Sequence, residues 1–401
     1  MEEFWKRGRS LGGTLLKNCF LWILHPFEYA FGLVKRKKNI LFVTSNKVMF
    51  DQVSFICDEL KKDPRLSLWF CFSSPCRFDK KTLSELKKER KNTPFSIAKF
   101  IKWDLIIFPD HDYGFRRDVK KIFIGHGPPM SKRVNGEYYM FGDDAVYKGG
   151  EYKYDRTFVY SEKQKREATK LYPQFYGKVD IVPSMRMWDI SKKQQEKEEL
   201  FREWNLDPAK KTIIFTSTWD RSLVCSHGKA LLSLLPALLR EYNVVVSLHP
   251  KTIISSDSGF DSFARKIFEF KARDFVCFSG SSWAPFVSTC DLLITDHTSM
   301  ACYFLPYIRR VIFVDIPDVE AGDMMRRIAS KCHRIKDLTV LEGDIKEAFL
   351  IDRKQDYENL ASDYLGDYKN SMNIFKKEVC GFLGVTRAGS AYAKDNERGE
   401  L

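Results

Sequence analysis

The chain has 401 residues, 44% hydrophobic, 14% aromatic and 30% charged. Such a composition folds into cores, which excludes a disordered chain, and the length predicts two domains. A formal charge of +13 points to anionic company: a phosphorylated substrate, an acidic lipid or nucleic acid. Ten cysteines are scattered without a CxxC pair or a zinc spacing, so a reducing compartment and no structural metal are expected.

Residues 1–38 carry eight Lys/Arg against three Glu, among many aromatic and aliphatic residues. Lys17, Asn18, His25, Pro26 and Glu28 interrupt the apolar run from Leu15 to Val34, which disfavours a bilayer span. A basic amphipathic segment on an anionic membrane surface fits better; a first helix packed on the body is the alternative. No signal peptide with a small-residue cleavage site is evident.

From Asn39 strands and helices alternate. The runs 39–46, 66–72, 104–110, 121–127, 156–161 and 178–184 read as strands, with helices at 48–63, 81–91 and after Ser161. A polar helix near 191–204 and the run 205–211 make a boundary. The second half repeats the pattern, with strands at 212–219, 243–250, 274–280, 291–297 and 310–317. Its helices are predicted at 228–242, 260–270 and 299–308, the last an apolar one. This alternation predicts an α/β protein of two doubly wound, Rossmann-like domains, 39–190 and 205–350, facing a cleft. A carboxyl-terminal helical segment, 354–382, would pack back, and 387–401 is a polar tail expected to be disordered.

Polar residues fall at the strand ends. His126 ends one strand between Gly125 and Gly127, and Thr216–Arg221 end another. His249-Pro250-Lys251 ends a third; Asp296-His297-Thr298-Ser299 ends a fourth and opens a helix. In doubly wound sheets such ends line one rim of the cleft. His126 read alone fits a Gly/Pro loop equally well. Thr298 and Ser299 at a helix start read as an anion cradle or as plain caps. His249 and Lys251 on a neighbouring strand strengthen the phosphate reading, because together they would neutralise a diphosphate without metal. No GxxxxGK[ST] occurs and no GxGxxG follows the first strand, which argues against an NTPase or a nicotinamide enzyme. No cofactor is expected.

Four segments, in order, carry a resemblance: "GHGPPMSK", "IIFTSTWDR", "VVVSLHPK" and "DLLITDHTSMACYF", across residues 120–320. They resemble the His-Gly-Thr-Pro-Leu-Lys, Ala-Pro-Thr-Trp-Arg-Asp, Leu-His-Pro and Asp-Tyr-Ser-Ser segments of the CDP-glycerol glycerophosphotransferase family. Those are GT-B-type enzymes of teichoic-acid and capsule synthesis, and the length is nearest to the short primase-like members. The resemblance implies His126 and His249 as catalytic residues, His126 as the base. It places Thr218, Lys251, Asp296, Thr298 and Ser299 on the donor phosphates, with Gly127 and Lys132 on the acceptor side. His297 stands where the family has Tyr, and Pro128 where it has Thr.

The implied reaction moves a polyol phosphate from a CDP-alcohol to a lipid-linked (polyprenyl-diphosphate) saccharide at the cytoplasmic face of the membrane, with the protein bound peripherally. A GT-B glycosyltransferase using a nucleotide sugar is the alternative. A non-catalytic lipid- or nucleic-acid-binding protein is the third class. No nucleic-acid module is recognisable, so no nucleic-acid partner is expected.

Overall fold

The computed structural model describes residues 37–385, apart from 75–79, 111–113, 130–132, 135–136, 139–140, 142–146, 149–150, 220, 250–251, 253–260, 281–282, 318 and 320. The expected membrane segment up to residue 36, Lys132, Lys251 and the tail 387–401 lie outside the described residues.

The first half runs β1 (Lys38–Thr44), α1 (Lys47–Leu60), β2 (Leu66–Phe72), α2 (Lys80–Glu89), α3 (Phe95–Ala98), β3 (Leu105–Phe108) and β4 (Lys121–Phe123). Two hairpins follow, β5 (Arg133–Val134) with β6 (Glu137–Tyr138) and β7 (Tyr147–Lys148) with β8 (Glu151–Tyr152). Then come β9 (Arg156–Val159), α4 (Glu162–Leu171), β10 (Val179–Ile181), α5 (Met185–Lys192) and α6 (Lys197–Glu203). The second half runs β11 (Lys211–Thr216), α7 (Leu223–Glu241), β12 (Tyr242–Leu248), α8 (Asp261–Glu269), β13 (Phe275–Ser279), β14 (Leu292–Thr295) and α9 (Ala301–Phe304). It closes with β15 (Val311–Val314), α10 (Asp323–Ala329), β16 (His333–Ile335), α11 (Leu341–Leu350), α12 (Lys354–Leu365) and α13 (Ser371–Leu383).

Among these residues two six-stranded parallel sheets form, ordered β10-β9-β4-β3-β1-β2 and β13-β12-β11-β14-β15-β16. Both are covered on both faces, as continuous apolar strands demand. In β1, Ile40 and Phe42 face one core with α1 and α13, while Leu41 and Val43 face another with Phe108 and Phe175. In β11, Ile213 and Phe215 pack with α7, and Ile214 packs on the opposite face with α9 and α12. Each such side chain is removed from water, a gain of about 1.5–3 kcal/mol apiece.

Helix α7 is long and apolar enough to cross a membrane. Its Leu223, Val224, Leu231, Leu235 and Leu238 are buried against the second sheet, the arrangement of a core helix.

The chain crosses between the domains twice. In α5, Met185 lies in a first-domain core and Met187 in a second-domain core. The return crossing follows α12, whose Tyr364 and Leu365 lie in the second domain; Met372 and Phe375 of α13 lie in the first. The segment 354–382 is therefore two helices. Gly366, at φ +65, separates them and leaves Tyr160 O only 2.1 Å from where its β-carbon would stand.

Two other expectations change, and one strand goes unread. The helix expected at 299–308 is one turn, Ala301–Phe304, because the N–H groups of Ala301, Cys302 and Tyr303 reach back only three residues and Pro306 has no N–H to extend it. The boundary helix splits into α5, which starts at Met185 on its Ser184 cap, and α6. Strand β16, "HRI", escapes notice because it has a single apolar residue facing the core.

Candidate active site

The second sheet reverses its winding between β11 and β14, and a crevice opens beyond the carboxyl ends of such a pair. The two ends are joined: Thr216 Oγ1 donates to Thr295 Oγ1 at 2.7 Å, which in turn donates to the Asp296 carbonyl at 3.2 Å. Just beyond, the fully buried Asp296 carboxylate collects the N–H groups of Leu223 (2.9 Å), Thr298 (2.9 Å) and Thr218 (3.1 Å), with the Ser217 hydroxyl at 3.3 Å. Burial pushes this carboxyl above its usual range, opposed by neighbouring His297 and by these N–H donors.

This corrects the expectation that Asp296 meets a donor phosphate. The first N–H groups of α7 would ordinarily hold an anionic ligand. In this chain they go to Asp296 (from Leu223), to Ser217 Oγ (from Val224, 3.1 Å) and to the cap Ser222 Oγ (from Cys225, 3.2 Å). A carboxylate of the protein occupies the helix end, and the phosphate reading must rest on the loops that Asp296 organises.

Those loops present Thr218, Thr298 and Ser299, and the end of neighbouring β12 presents His249, all half-buried. The hydroxyl of Ser299 has no hydrogen-bond partner among the described residues. Thr298 Oγ1 is engaged by Met300 N at 3.4 Å. With only one helical turn behind it, Ser299 offers a hydroxyl rather than a helix dipole, so the expected cradle is smaller than the sequence suggested. Trp219, 37% exposed, stands beside His249 with ring centroids 6.3 Å apart.

On the opposite side of the cleft, β4 ends and Gly125 turns the chain at φ +69, a dihedral that suits glycine. His126 follows, half-buried, with Nδ1 3.1 Å from the Pro109 carbonyl oxygen. A carbonyl only accepts, so Nδ1 is the donor in this contact, which fixes the ring's orientation. The Gly127 carbonyl accepts from the Tyr160 hydroxyl at 3.1 Å. Burial pushes the Tyr160 phenol up, with Cys302 nearby adding to the shift, so it remains a donor. A β-carbon on Gly127 would stand 3.7 Å from Ser299 Oγ. The Gly127 loop of the first domain and the Ser299 loop of the second therefore meet.

Among the sequence candidates, Gly127 meets Ser299, Thr218 is tied through its N–H to Asp296, and Asp296 is withdrawn into the interior. Tyr160 and the Pro109 carbonyl were not among the candidates. Pro109, just past β3, was legible as a strand end; Tyr160 read only as a residue inside the strand 156–161.

No family model and no curated protein sequence matches the chain. Solved structures do. A histidine variant of the wall teichoic acid polymerase TagF, soaked with CDPG, matches with a TM-score of 0.60 over 96% of this chain and 98% of that chain, at 13% identity. A second TagF variant structure gives a TM-score of 0.62 at 13% identity, with the same coverage of 96% and 98%. MnaA from S. aureus, in a structure with UDP, gives 0.57 over 88% of this chain and 98% of that chain, at 11% identity. The fold is GT-B, shared with TagF. At these identities the likeness establishes the architecture and the cleft between its two domains.

Proposed function

We propose that the chain is a transferase that moves a polyol phosphate, glycerol phosphate or a close relative, from a CDP-alcohol to a hydroxyl of a lipid-linked saccharide or polymer in cell-envelope synthesis. The observation that carries this reading is the placement of His126: its ring is held through Nδ1 against the Pro109 carbonyl, and Gly127 beside it abuts Ser299 of the other domain. A base and a free hydroxyl meeting across a cleft suit the transfer of an anionic group.

In this reading the acceptor hydroxyl gives its proton to His126 Nε2 while its oxygen attacks the distal phosphorus. The new O–P bond forms, the bond to CMP breaks, and CMP carries the electron pair away. A positioned base contributes about 10²–10⁴-fold to such a step. His249, Ser299, Thr218 and Thr298 would hold the donor phosphates, with Lys251 supplying further counter-charge; Lys132 would serve the acceptor side. Asp296 acts behind them by fixing the loops. The basic segment 1–38 would hold the enzyme peripherally on the cytoplasmic face of the membrane, beside a polyprenyl-linked acceptor. The likeness to TagF, solved with CDPG, and to MnaA, solved with UDP, supports a nucleotide-linked donor, and a nucleotide-sugar transferase is the second reading.

A thermal-shift screen decides between them, because a ligand that binds only the native state raises its melting temperature. CDP-glycerol and CMP should stabilise the protein, and UDP-sugars should not. Stabilisation by UDP-sugars alone would replace this proposal with the second reading. No stabilisation by any nucleotide would overturn both.

A further inference from the structure

One polar cluster has no part in the cleft. His333 opens β16, the edge strand separated from β14 by β15. Ile335, two residues on and therefore on the same face, packs among Leu341 and Ile345 of α11, so His333 also faces α11. Asp344 and Glu347 stand three residues apart on that helix, which places them on one side of it. One ligand atom from each of His333, Asp344 and Glu347 lies within 4.8 Å of the other two.

A simple His–Asp hydrogen bond does not account for the cluster. His333 Nε2 is 2.9 Å from Asp344 Oδ1, but Asp344 Oδ2 is buried with no hydrogen-bond partner. A buried carboxylate oxygen left unpaired loses its hydration with nothing in return. Glu347 is exposed, and its carboxylate has no partner among the described residues. A cation between the three groups would satisfy both carboxylates at once.

We propose that His333, Asp344 and Glu347 bind a divalent transition metal of the zinc class. One imidazole and two carboxylates, with water as a fourth ligand, suit tetrahedral Zn²⁺ better than Mg²⁺ or Ca²⁺, which favour all-oxygen shells. Tetrahedral zinc needs its ligand atoms about 3.3 Å apart. The His333–Asp344 pair is near that spacing, and the exposed Glu347 side chain can swing in. The ion would clamp α11 to the edge strand and stiffen the rim of the second sheet. β16 is two strands away from β14 and the crevice, so the ion would act on stability.

The test is a Zn²⁺ titration of the full chain by calorimetry, with melting curves in parallel. One Zn²⁺ should bind per chain and raise the melting temperature. Glu347→Gln, at an exposed position where folding is secure, should weaken binding at least about tenfold, and His333→Ala should weaken it further. Glu342→Gln, on the same helix outside the cluster, should bind like the wild type. Co²⁺ should give visible ligand-field bands without the thiolate charge-transfer band that cysteine ligands produce. Equal affinity in wild type and Glu347→Gln, no one-to-one binding by about millimolar Zn²⁺, or a thiolate band with Co²⁺ would each overturn the assignment.

Discussion

Gly127 and Ser299 face each other across the two domains, with 3.7 Å between Ser299 Oγ and the point where a Gly127 β-carbon would lie. That spacing is ordinary van der Waals contact, so Gly127→Ala should fold normally. It fills the space where acceptor and donor would converge, and a displacement of about 1 Å there should lower turnover by roughly 10²-fold. Melting curves beside steady-state rates check this; an unchanged rate would place the reacting groups elsewhere.

The two sides of the cleft should fail differently. His126→Ala should lose about 10²-fold or more of turnover with donor affinity little changed, because a base acts in the transition state. His249→Ala and Ser299→Ala should weaken binding of CMP and CDP-alcohol as well as rate, since each removes a ground-state contact. Calorimetry with each variant separates the cases. Loss of donor binding in His126→Ala, with full turnover at saturation, would make His126 a ligand contact.

Tyr160 tethers the loop that carries His126. Tyr160→Phe keeps the ring and removes the 3.1 Å bond to the Gly127 carbonyl, at a stability cost of about 1 kcal/mol. Turnover should drop while CMP affinity holds, because the loop that carries His126 loses its tether. A stability loss with an unchanged turnover number would confine Tyr160 to packing.

Gly366→Ala should be among the most damaging substitutions outside the cleft. At φ +65 a non-glycine residue costs about 1–2 kcal/mol in dihedral strain alone. The added carbon would also meet Tyr160 O at 2.1 Å and Pro183 Cβ at 3.1 Å. Urea unfolding should show a clear fall in midpoint, and a shift below about 0.5 kcal/mol would contradict the geometry.

Chelation should dissociate stability from catalysis. If Zn²⁺ sits at His333 and phosphate charge is met by His249, Lys251 and hydroxyls, EDTA should lower the melting temperature and leave transfer running. Loss of transfer restored by Mg²⁺ or Mn²⁺ would show that the donor phosphates need a metal.

Much of the architecture was legible because buried parallel strands are continuous apolar runs, as in Ile40–Val43 and Val244–Val246. The winding placed His126, Thr218, His249 and Ser299 at strand ends without further information. Direction was not legible. Asp296 looks the same in sequence whether it points at a ligand or inward, and only the N–H groups of Thr218, Leu223 and Thr298 decide. Tyr160 lies 33 residues from the carbonyl it holds, a pairing no local pattern encodes. The His333, Asp344 and Glu347 cluster joins a three-residue strand to a helix that starts six residues after it, and neither is strongly periodic.

The two domain crossings lie side by side. Ser184 N donates to the Leu365 carbonyl at 2.8 Å, and Gly366 rests against Pro183. Two tethers bound to each other resist shear between the domains and leave rotation about their common line as the cheapest motion. Opening of the cleft is then the swing of a door on one axle. In the proposed reaction a bulky acceptor would enter between Gly127 and Ser299 through a small change of angle there, with both cores left intact.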